Sequence, residues 1–267
     1  MSGGSRNPST SEETIAGRAV IELPSPNWDE RPEGASPVDT LVLHYTGMVS
    51  AEAALARMTD PAAKVSAHWC VGEDGTLWRL VPEERCAWHA GRSEWRGRRS
   101  LNEVSVGIEL VNPGHEHGYR PFPTAQMDAL LDLARAIVAR HPIEPCNVVA
   151  HSDIAPTRRQ DPGELFDWSR LAQAGIGLWP ETGERTAQDR SPLRQGDSGA
   201  AVRQQQERLR SVGYGLVADG DFGATTAAVV RAFQRRFRQA RVDGVIDGDT
   251  ATVLDRVGAL VAGGAQA

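Results

Sequence analysis

Thr40-Leu41-Val42-Leu43-His44 is a short apolar run that ends at a histidine, and Asn147-Val148-Val149-Ala150-His151 repeats this pattern later in the chain. Short apolar runs of this kind are typical of buried strands with helices on their faces. Between them, residues 104–110 alternate in the pattern of a half-buried strand, which carries Glu109. These runs predict a sheet at the centre of the fold, with both histidines placed where strands end.

Two further patterns complete the prediction for this half of the chain. Residues 65–80 are typical of a β-hairpin whose turn is Glu73-Asp74-Gly75. A helix is predicted from Thr124 to about Arg140, because apolar residues recur there on one helical face. Strands and helices therefore interleave, and we predict an α/β fold with a central mixed β-sheet flanked by helices.

The composition is that of an ordinary globular protein. The 267 residues include 29 basic and 35 acidic side chains, a formal net charge of −6, and 40% are hydrophobic. No stretch approaches the ~20 apolar residues that span a bilayer, so an integral membrane segment is not expected. The mild acidity argues against nucleic acid as a partner. Lys64 is the only lysine, and the three cysteines have no metal-binding spacing, so free thiols are expected.

Composition also divides the chain into domains. All seven tryptophans precede residue 180, and residues 181–192 have no apolar side chain beyond Ala187. We therefore predict a first domain over residues 21–180, a linker over 181–192 and a small C-terminal domain over 193–260. Residues 1–20 are rich in Ser, Gly, Thr and Glu and lack the apolar core of a signal peptide, which predicts a flexible N-terminal tail.

The C-terminal part contains an internal repeat. Asp219-Gly220-x-Phe222-Gly223-x-x-Thr226 recurs as Asp243-Gly244-x-Ile246-Asp247-x-x-Thr250 with the spacing preserved. Asp-Gly followed by a hydrophobic residue and then Thr predicts a turn that leads into a capped helix. A calcium loop is the alternative, but its twelfth position, which should be acidic, is Val230 or Leu254.

This part resembles the peptidoglycan-binding type-1 domain, a three-helix module found beside bacterial wall hydrolases. The matching residues are Leu193-Arg194-x-Gly196-x-x-Gly199-x-x-Val202, Gln206-x-x-Leu209, Gly213-Tyr214, both Asp-Gly repeats and Phe233-Gln234. The resemblance implies a three-helix domain that binds peptidoglycan peptide or glycan. The alternative, that these residues only build the fold, is favoured for the apolar ones.

A metal site is suggested by residue type alone, without a fixed ligand set. A hydrolytic zinc site usually takes three protein ligands from His, Asp, Glu or Cys and leaves a fourth position for water. His44 and His151 each end a strand-like run, and Asp161 lies in an Asp-Pro-Gly turn that can return its carboxylate toward the strand end. Each histidine taken alone is better explained as a structural residue.

The sequence from His151 to Gly163 resembles a signature of zinc-dependent N-acetylmuramoyl-L-alanine amidases. That family also includes phage lysozyme-type amidases and peptidoglycan recognition proteins. Further matches, in the order of the family, are His44-Tyr45-Thr46, Ser66-Ala67-His68, Ala87-Trp88-His89-Ala90-Gly91 and Asn102-x-x-Ser105-x-Gly107-Ile108-Glu109. Together the matches cover about residues 38–168.

The resemblance implies one zinc ion per chain, held by His44, His151 and Asp161. It places Glu109 at the catalytic glutamate of the family and Arg159 where the family usually has a lysine. Arginine stays protonated at any working pH, so Arg159 is expected to stabilise an oxyanion and not to donate a proton. The implied reaction is hydrolysis of the amide bond between N-acetylmuramic acid and L-alanine in peptidoglycan or muropeptides.

Four further residues within the family motifs are expected to contact this substrate, with a packing role as the alternative for the histidines. They are His68, Trp88, His89 and Asn102. By contrast, His115-Glu116-His117 lies between glycines and prolines with no third ligand indicated, which favours a solvated loop.

Two other functions stay open at this point: a non-catalytic peptidoglycan receptor, and a zinc peptidase that cleaves stem-peptide bonds. A pure receptor has no need for the complete set of His44, His151, Asp161 and Glu109, which argues against the first. The chain is expected to act as a monomer. The lack of a signal peptide predicts a cytoplasmic protein, with a periplasmic or wall-associated location as the alternative suggested by the binding module.

Overall fold

The computed structural model describes residues 13–34, 36–180 and 191–264, which form strands, short ribbons and seven helices. The strands are β1 Thr14–Ile15, β2 Arg18–Glu22, β3 Trp28–Glu30, β4 Thr40–Tyr45, β5 Trp69–Val71, β6 Leu77–Arg79, β7 Arg85–Ala87, β8 Glu94–Trp95, β9 Arg98–Arg99, β10 Ser105–Leu110 and β11 Val148–Ala150. The helices are α1 Ala51–Thr59, α2 Thr124–Arg140, α3 His151–Ile154, α4 Trp168–Gln173, α5 Ala200–Val212, α6 Ala224–Phe237 and α7 Gly248–Gly264.

Seven of the strands form one mixed sheet in the order β1-β2-β6-β5-β10-β4-β11. The centre of this sheet is parallel, because β10 pairs in parallel with both β4 and β5, and β11 pairs in parallel with β4. The strands β5 and β6 pair antiparallel on either side of the Glu73-Asp74-Gly75 turn. The predicted mixed sheet and hairpin are therefore confirmed.

The two faces of the central sheet have different partners. Side chains alternate along β4, so that Leu41 and Leu43 join the core formed with α2, while Val42 joins the core on the opposite face. His44 follows this alternation and shares the face of Val42. The helix α2 begins at Thr124 and ends at Arg140, as predicted. The helix α2 thus covers one face of the sheet, and the functional residues lie on the opposite face.

Residues 14–20 of the predicted N-terminal tail belong to the sheet domain in the structure. Residues 1–12 lie outside the described part of the chain, but β1 and β2 extend the sheet from Thr14 to Glu22. Ile15 is buried in the core beside α2, Arg18 forms an ion pair with Asp132 at 3.1 Å, and β2 pairs in parallel with β6. The prediction is wrong for residues 14–20 because the apolar contacts that order them come from distant parts of the chain.

Three helices, α5, α6 and α7, form the C-terminal unit, and they explain its sequence repeat. The Nε2 atom of Gln206 donates to Asp219 Oδ1 and to Thr226 Oγ1, both at 3.0 Å. Gln234 makes the corresponding bonds in the second copy, to Asp243 Oδ1 at 3.0 Å and Thr250 Oγ1 at 3.4 Å. In each copy, a glutamine from the preceding helix thus bonds to the Asp and the Thr of the motif and holds the Asp-Gly turn in place. The repeated residues therefore have a structural role.

The C-terminal unit packs directly against the sheet domain. Arg236 on α6 is 2% exposed and its Nη1 atom lies 2.8 Å from Asp153 Oδ2 on α3. Tyr214 donates to the other carboxylate oxygen, Asp153 Oδ1, at 2.7 Å. Most of the predicted linker, residues 181–190, lies outside the described part of the chain. The two units are therefore joined through a buried polar contact.

Candidate metal centre and active site

Three residues from two strand ends converge on one point. His44 lies near the end of β4, and His151 is the first residue of α3, directly after β11. Asp161 lies next to α3, because its main-chain carbonyl oxygen accepts a hydrogen bond from the Ser152 N–H at 3.0 Å. All three side chains are buried, and among the described residues they are the one group of His, Cys, Asp or Glu arranged to hold a metal ion.

The ligand atoms of this cluster face one another at short range. His44 Nδ1 lies 2.9 Å from His151 Nδ1 and 3.2 Å from Asp161 Oδ2, and the distance from His151 Nδ1 to Asp161 Oδ2 is 3.0 Å. The other ring nitrogen of His151, Nε2, lies 3.3 Å from the Ala90 carbonyl oxygen, to which it must donate. In a neutral ring Nδ1 is then a lone-pair atom that faces a carboxylate, an arrangement that fits a cation between them.

The protonation states of the cluster suit a metal site. Burial, followed by the neighbouring His151, lowers the pKa of His44 to about 4. Burial alone would raise the pKa of Asp161, but the adjacent His151, followed by His44, holds that pKa well below its usual range. A neutral imidazole and an ionised carboxylate are the forms in which these side chains bind metal ions.

Glu109 stands beside this cluster as a carboxyl group without a partner. It lies on β10 directly opposite His44 in the parallel register, so both side chains share one face of the sheet. Its Oε2 atom is shielded from solvent and has no hydrogen-bond partner among the described residues. Burial, followed by the charge of Asp161, raises the pKa of Glu109 to about 8, and Arg159 partly opposes this rise. Such a group can accept and return a proton near neutral pH.

Arg159 has a side chain that is free to meet a ligand. The residue is exposed, and its backbone N–H is held by the Ala155 carbonyl oxygen at 3.0 Å. Within the described ranges its guanidinium forms no ion pair, but its positive charge lowers the pKa of both Glu109 and His44. This places a positive charge close to the metal cluster and in contact with solvent.

The four predicted substrate-contact residues are placed differently from one another. Trp88 is half-buried, and its Nε1 atom donates to Asp29 at 2.6 Å, so its role in substrate contact stays a prediction. Asn102 uses Oδ1 to accept from the N–H groups of His89 and Ala90. His89 is 6% exposed and contacts His44 at 3.0 Å between ring nitrogens. Its position favours a role behind the metal cluster.

His68 lies deeper still and has no exposed surface. Its Nδ1 atom accepts from the Gly107 N–H at 2.9 Å, and its Nε2 atom donates to the Arg85 carbonyl oxygen at 3.0 Å. Burial lowers its pKa to about 4. Both ring nitrogens of His68 are occupied by the main chain, which favours the packing role, and its contact with substrate stays a prediction.

One group near the site was not foreseen from the sequence. His115 is only partly exposed, unlike Glu116 and His117: its Nδ1 atom lies 2.8 Å from the Tyr45 hydroxyl, and its ring stacks on Tyr119 at 4.3 Å between centroids. Its Nε2 atom also meets Glu164 at 3.2 Å. These partners come from three separate segments, so local sequence carries no signal for the cluster. In the sequence, Tyr45 directly follows His44, and Glu164 comes three residues after Asp161. The cluster around His115 therefore lies close to the metal ligands.

A groove of about 860 Å³ runs between the sheet domain and the C-terminal unit. Arg92, Arg99 and Arg158 line it from the sheet domain, and Gly215 and Thr225 line it from the C-terminal unit. The Nη2 atom of Arg158 also contacts the Ala90 carbonyl oxygen, the same atom that meets His151. The groove therefore lies behind His151, on the side of its Nε2 atom, and its charges are mixed, since Glu94 also lines it and pairs with Arg99 at 3.1 Å.

Comparison with known proteins identifies both halves of the chain. A family model described as N-acetylmuramoyl-L-alanine amidase matches residues 34–164, and a model of a peptidoglycan binding domain matches residues 198–254. The N-acetylmuramoyl-L-alanine amidase AmiD of Escherichia coli is 39% identical over 232 residues, which cover 82% of this chain and 81% of AmiD. The 1,6-anhydro-N-acetylmuramyl-L-alanine amidase AmpD of Enterobacter cloacae is 35% identical over 56% of this chain and 86% of AmpD.

The fold is shared with the same relative. The solved structure of AmiD from E. coli, in complex with anhydro-N-acetylmuramic acid-L-Ala-D-gamma-Glu-L-Lys, superposes with a TM-score of 0.72. The two chains are 38% identical, and the aligned region covers 85% of this chain and 91% of the AmiD chain. No helix in the described ranges is long and apolar enough to cross a membrane. On its sequence, its fold and the arrangement of its site, this chain belongs to the N-acetylmuramoyl-L-alanine amidase family.

Proposed function

We propose that this chain hydrolyses the amide bond between N-acetylmuramic acid and L-alanine with one zinc ion held by His44, His151 and Asp161. The observation that carries the proposal is the buried cluster of three ligand atoms within 3.2 Å of one another, beside Glu109, whose Oε2 atom has no hydrogen-bond partner in the described part of the chain. Two imidazoles and one carboxylate with room for a fourth ligand are a donor set typical of catalytic zinc. When bound, zinc would polarise the substrate carbonyl group and lower the pKa of a water from 15.7 toward ~7.

Glu109 and Arg159 would perform the proton transfer and the charge stabilisation. Glu109 accepts a proton from the attacking water as the new carbon–oxygen bond forms. It then returns this proton to the amine nitrogen of L-alanine as the carbon–nitrogen bond breaks, because an amide anion is a poor leaving group. Arg159 stabilises the negative charge that develops on the carbonyl oxygen, a role for which a permanent positive charge is sufficient.

The substrate class that we propose is a muropeptide whose sugar carries the 1,6-anhydro ring. Two relatives support this choice: AmpD, by its name, acts on 1,6-anhydro-N-acetylmuramyl-L-alanine, and AmiD was solved with an anhydro-N-acetylmuramic acid peptide. Arg92 and Arg158, which line the groove behind His151, have the charge to accept the carboxylates of a stem peptide. Trp88 is also proposed to contact the sugar or peptide.

We also propose that residues 21–180 form the catalytic domain and residues 193–260 the peptidoglycan-binding domain of a monomer. The buried contact of Arg236 with Asp153 holds the second domain against the first. Since the groove is lined by both domains, we propose that the binding domain helps to hold a part of the substrate that extends beyond the active site.

The test is an incubation of the purified protein with polymeric peptidoglycan and, separately, with soluble anhydro-muropeptides. Each reaction is run untreated, with a chelator, and with zinc restored after chelation, and the products are identified by mass spectrometry. Free stem peptide and unsubstituted sugar, lost with the chelator and regained with zinc, are the expected result. A shortened stem that stays attached to muramic acid would indicate a peptidase, and binding without any product would indicate a receptor. Faster turnover of soluble fragments would favour a cytoplasmic location, and faster turnover of the polymer a periplasmic one.

A further inference from the structure

We infer that His89 and Ser105 are positioning residues that fix the proton of His44 on Nε2, so that its Nδ1 lone pair faces the metal site. The inference rests on the proposed metal site and assigns a function to two buried residues that need not touch substrate. It follows from a short chain of hydrogen bonds, in which each proton position determines the next.

The chain starts at a main-chain carbonyl group. Ser105 Oγ lies 2.6 Å from the Leu101 carbonyl oxygen, which has no proton to give, so the hydroxyl hydrogen of Ser105 is committed to that bond. Ser105 Oγ also lies 3.1 Å from His89 Nε2. With its only hydrogen already used, the serine can only accept in this second bond. His89 therefore carries its proton on Nε2.

The proton of His89 then determines that of His44. A neutral imidazole has one N–H, so His89 Nδ1 is a lone-pair acceptor once Nε2 is protonated. His44 Nε2 lies 3.0 Å from this atom and must be the donor. The remaining nitrogen of His44, Nδ1, is left with a free lone pair, and this is the atom that faces His151 and Asp161. The hydrogen bonds can run in one direction only, because a carbonyl oxygen terminates them.

The packing around His89 holds its ring in this position. A Cβ atom at Gly107 would lie 2.5 Å from the ring of His89, so the strand β10 has room for the imidazole only because residue 107 has no side chain. Asn102 Oδ1 accepts from the N–H groups of His89 and Ala90 at 3.2 and 2.8 Å.

The same short segment also orients the second histidine ligand, because the Ala90 carbonyl oxygen accepts from His151 Nε2. The two consecutive residues His89 and Ala90, the first through its side chain and the second through its carbonyl group, therefore present the Nδ1 lone pairs of both histidines to the metal. Partners of this kind, which bond the second nitrogen of a ligand histidine, typically contribute about 10- to 100-fold to metal affinity.

The proton positions can be read directly in the metal-free protein. Long-range proton–nitrogen correlation spectra of protein labelled with 15N-histidine distinguish a protonated Nδ1 from a protonated Nε2. We expect both His44 and His89 to be protonated on Nε2. A His89 ring protonated on Nδ1 would overturn the inference. Because no metal is needed, this measurement stands even if the proposed zinc function fails.

Zinc affinity provides the second test, measured by competition with a chromophoric chelator. Ser105→Ala and His89→Leu should weaken zinc binding by about 10- to 100-fold. His89→Asn, which keeps an oxygen near the Nδ1 position, should lose less than His89→Leu. Thermal unfolding of the metal-free variants shows whether each is folded.

The matched control is Ser66→Ala. Ser66 is also fully buried and donates to a main-chain carbonyl oxygen, that of Asn27, at 2.6 Å, but it accepts from the Trp88 N–H at 2.9 Å and not from an imidazole. We expect its zinc affinity to equal that of the unmodified protein. Zinc binding by Ser105→Ala as tight as that of the unmodified protein would contradict the inference, as would an equal loss in Ser66→Ala. An unmodified protein that binds no zinc would instead refute the proposed function.

Discussion

Two buried aspartates, Asp153 on the short helix α3 and Asp161 just after it, have different surroundings. Asp153, on α3, accepts from the Tyr214 hydroxyl through Oδ1 and from Arg236 and the Ala150 N–H through Oδ2, at 2.7 to 2.9 Å. Among the described residues, the Asp161 carboxylate meets the ring nitrogens of His44 and His151 alone. A carboxylate surrounded by donors is a structural element, whereas one that meets lone pairs is prepared for a cation.

The two arginines near α3 show the same contrast. Arg236 is buried, with its guanidinium carbon 4.4 Å from the ring centroid of Trp168 and 4.7 Å from that of Phe237. Arg159 is exposed and has no ion-pair partner within the described ranges. We therefore expect changes on the Arg236 side to cost stability and changes on the Arg159 side to cost activity.

Removal of the metal-facing carboxylate should give the largest effect. Asp161→Ala is expected to reduce amidase turnover by about 10³-fold or more, because transition-state stabilisation by a catalytic metal is worth several kcal/mol. Zinc binding, measured by equilibrium dialysis, should fall in parallel. The metal-free variant should unfold at a denaturant concentration close to that of the metal-free unmodified protein. A large loss of stability without loss of zinc would place Asp161 with Asp153, as a structural residue.

Removal of the positive charge of Arg236, which pairs with Asp153, should give the second-largest effect. Arg236→Met leaves a buried carboxylate uncompensated and is expected to lower the free energy of unfolding by about 3–5 kcal/mol. Urea unfolding of the single variants Arg236→Met and Asp153→Asn, and of the double variant, measures this. The double variant should lose less than the sum of the two single losses, because the residues act as a pair. Strict additivity would show that the ion pair does not couple the domains.

Arg159 should show the opposite pattern to Arg236. Arg159→Ala is expected to reduce kcat by about 10²–10³-fold, the loss seen when one donor to an oxyanion is removed. Arg159→Lys keeps the positive charge and should retain much of the activity. Both variants should unfold within about 0.5 kcal/mol of the unmodified protein, as is usual for exposed positions. Equal activity in all three proteins would remove Arg159 from the mechanism.

Some features around α3 could be predicted from the sequence, and others could not. The strands that end at His44 and His151 and the helix from Thr124 to Arg140 were predictable, because their patterns of apolar residues are local. The convergence of His44, His151 and Asp161 required the family resemblance, since residue spacing alone did not favour ligands over structural histidines.

Contacts between distant segments could not be predicted. No local pattern shows that Arg236 enters the sheet domain to meet Asp153, 83 residues away. The position of His89 against Gly107 is equally hidden, because the missing Cβ has meaning only once β10 and the segment after β7 are neighbours. Sequence placed His89 within a family motif, but the orientation of its two nitrogens comes only from the folded arrangement.

Glu83 extends the comparison to the other end of the sheet domain and should give the smallest effect. It is a saturated carboxylate like Asp153, since it accepts from Trp69, Arg140 and His141 at 2.6 to 2.8 Å. Burial alone would raise its pKa, but the hydrogen bonds from Arg140, His141 and Trp69 outweigh burial and lower the pKa below its ordinary value of 4.5. Folded protein then binds this proton less readily than unfolded protein does.

The stability that Glu83 contributes is consequently present above about pH 4.5 and decreases as the pH falls through its lower, folded-state pKa. Glu83→Gln should reduce the free energy of unfolding by about 1–2 kcal/mol at neutral pH and make the loss of stability in acid shallower. Urea unfolding between neutral and acid pH measures both quantities. Amidase activity at neutral pH should be unchanged, since Glu83 lies away from the metal ligands. An acid slope as steep as that of the unmodified protein would show that these hydrogen bonds do not hold the carboxylate ionised.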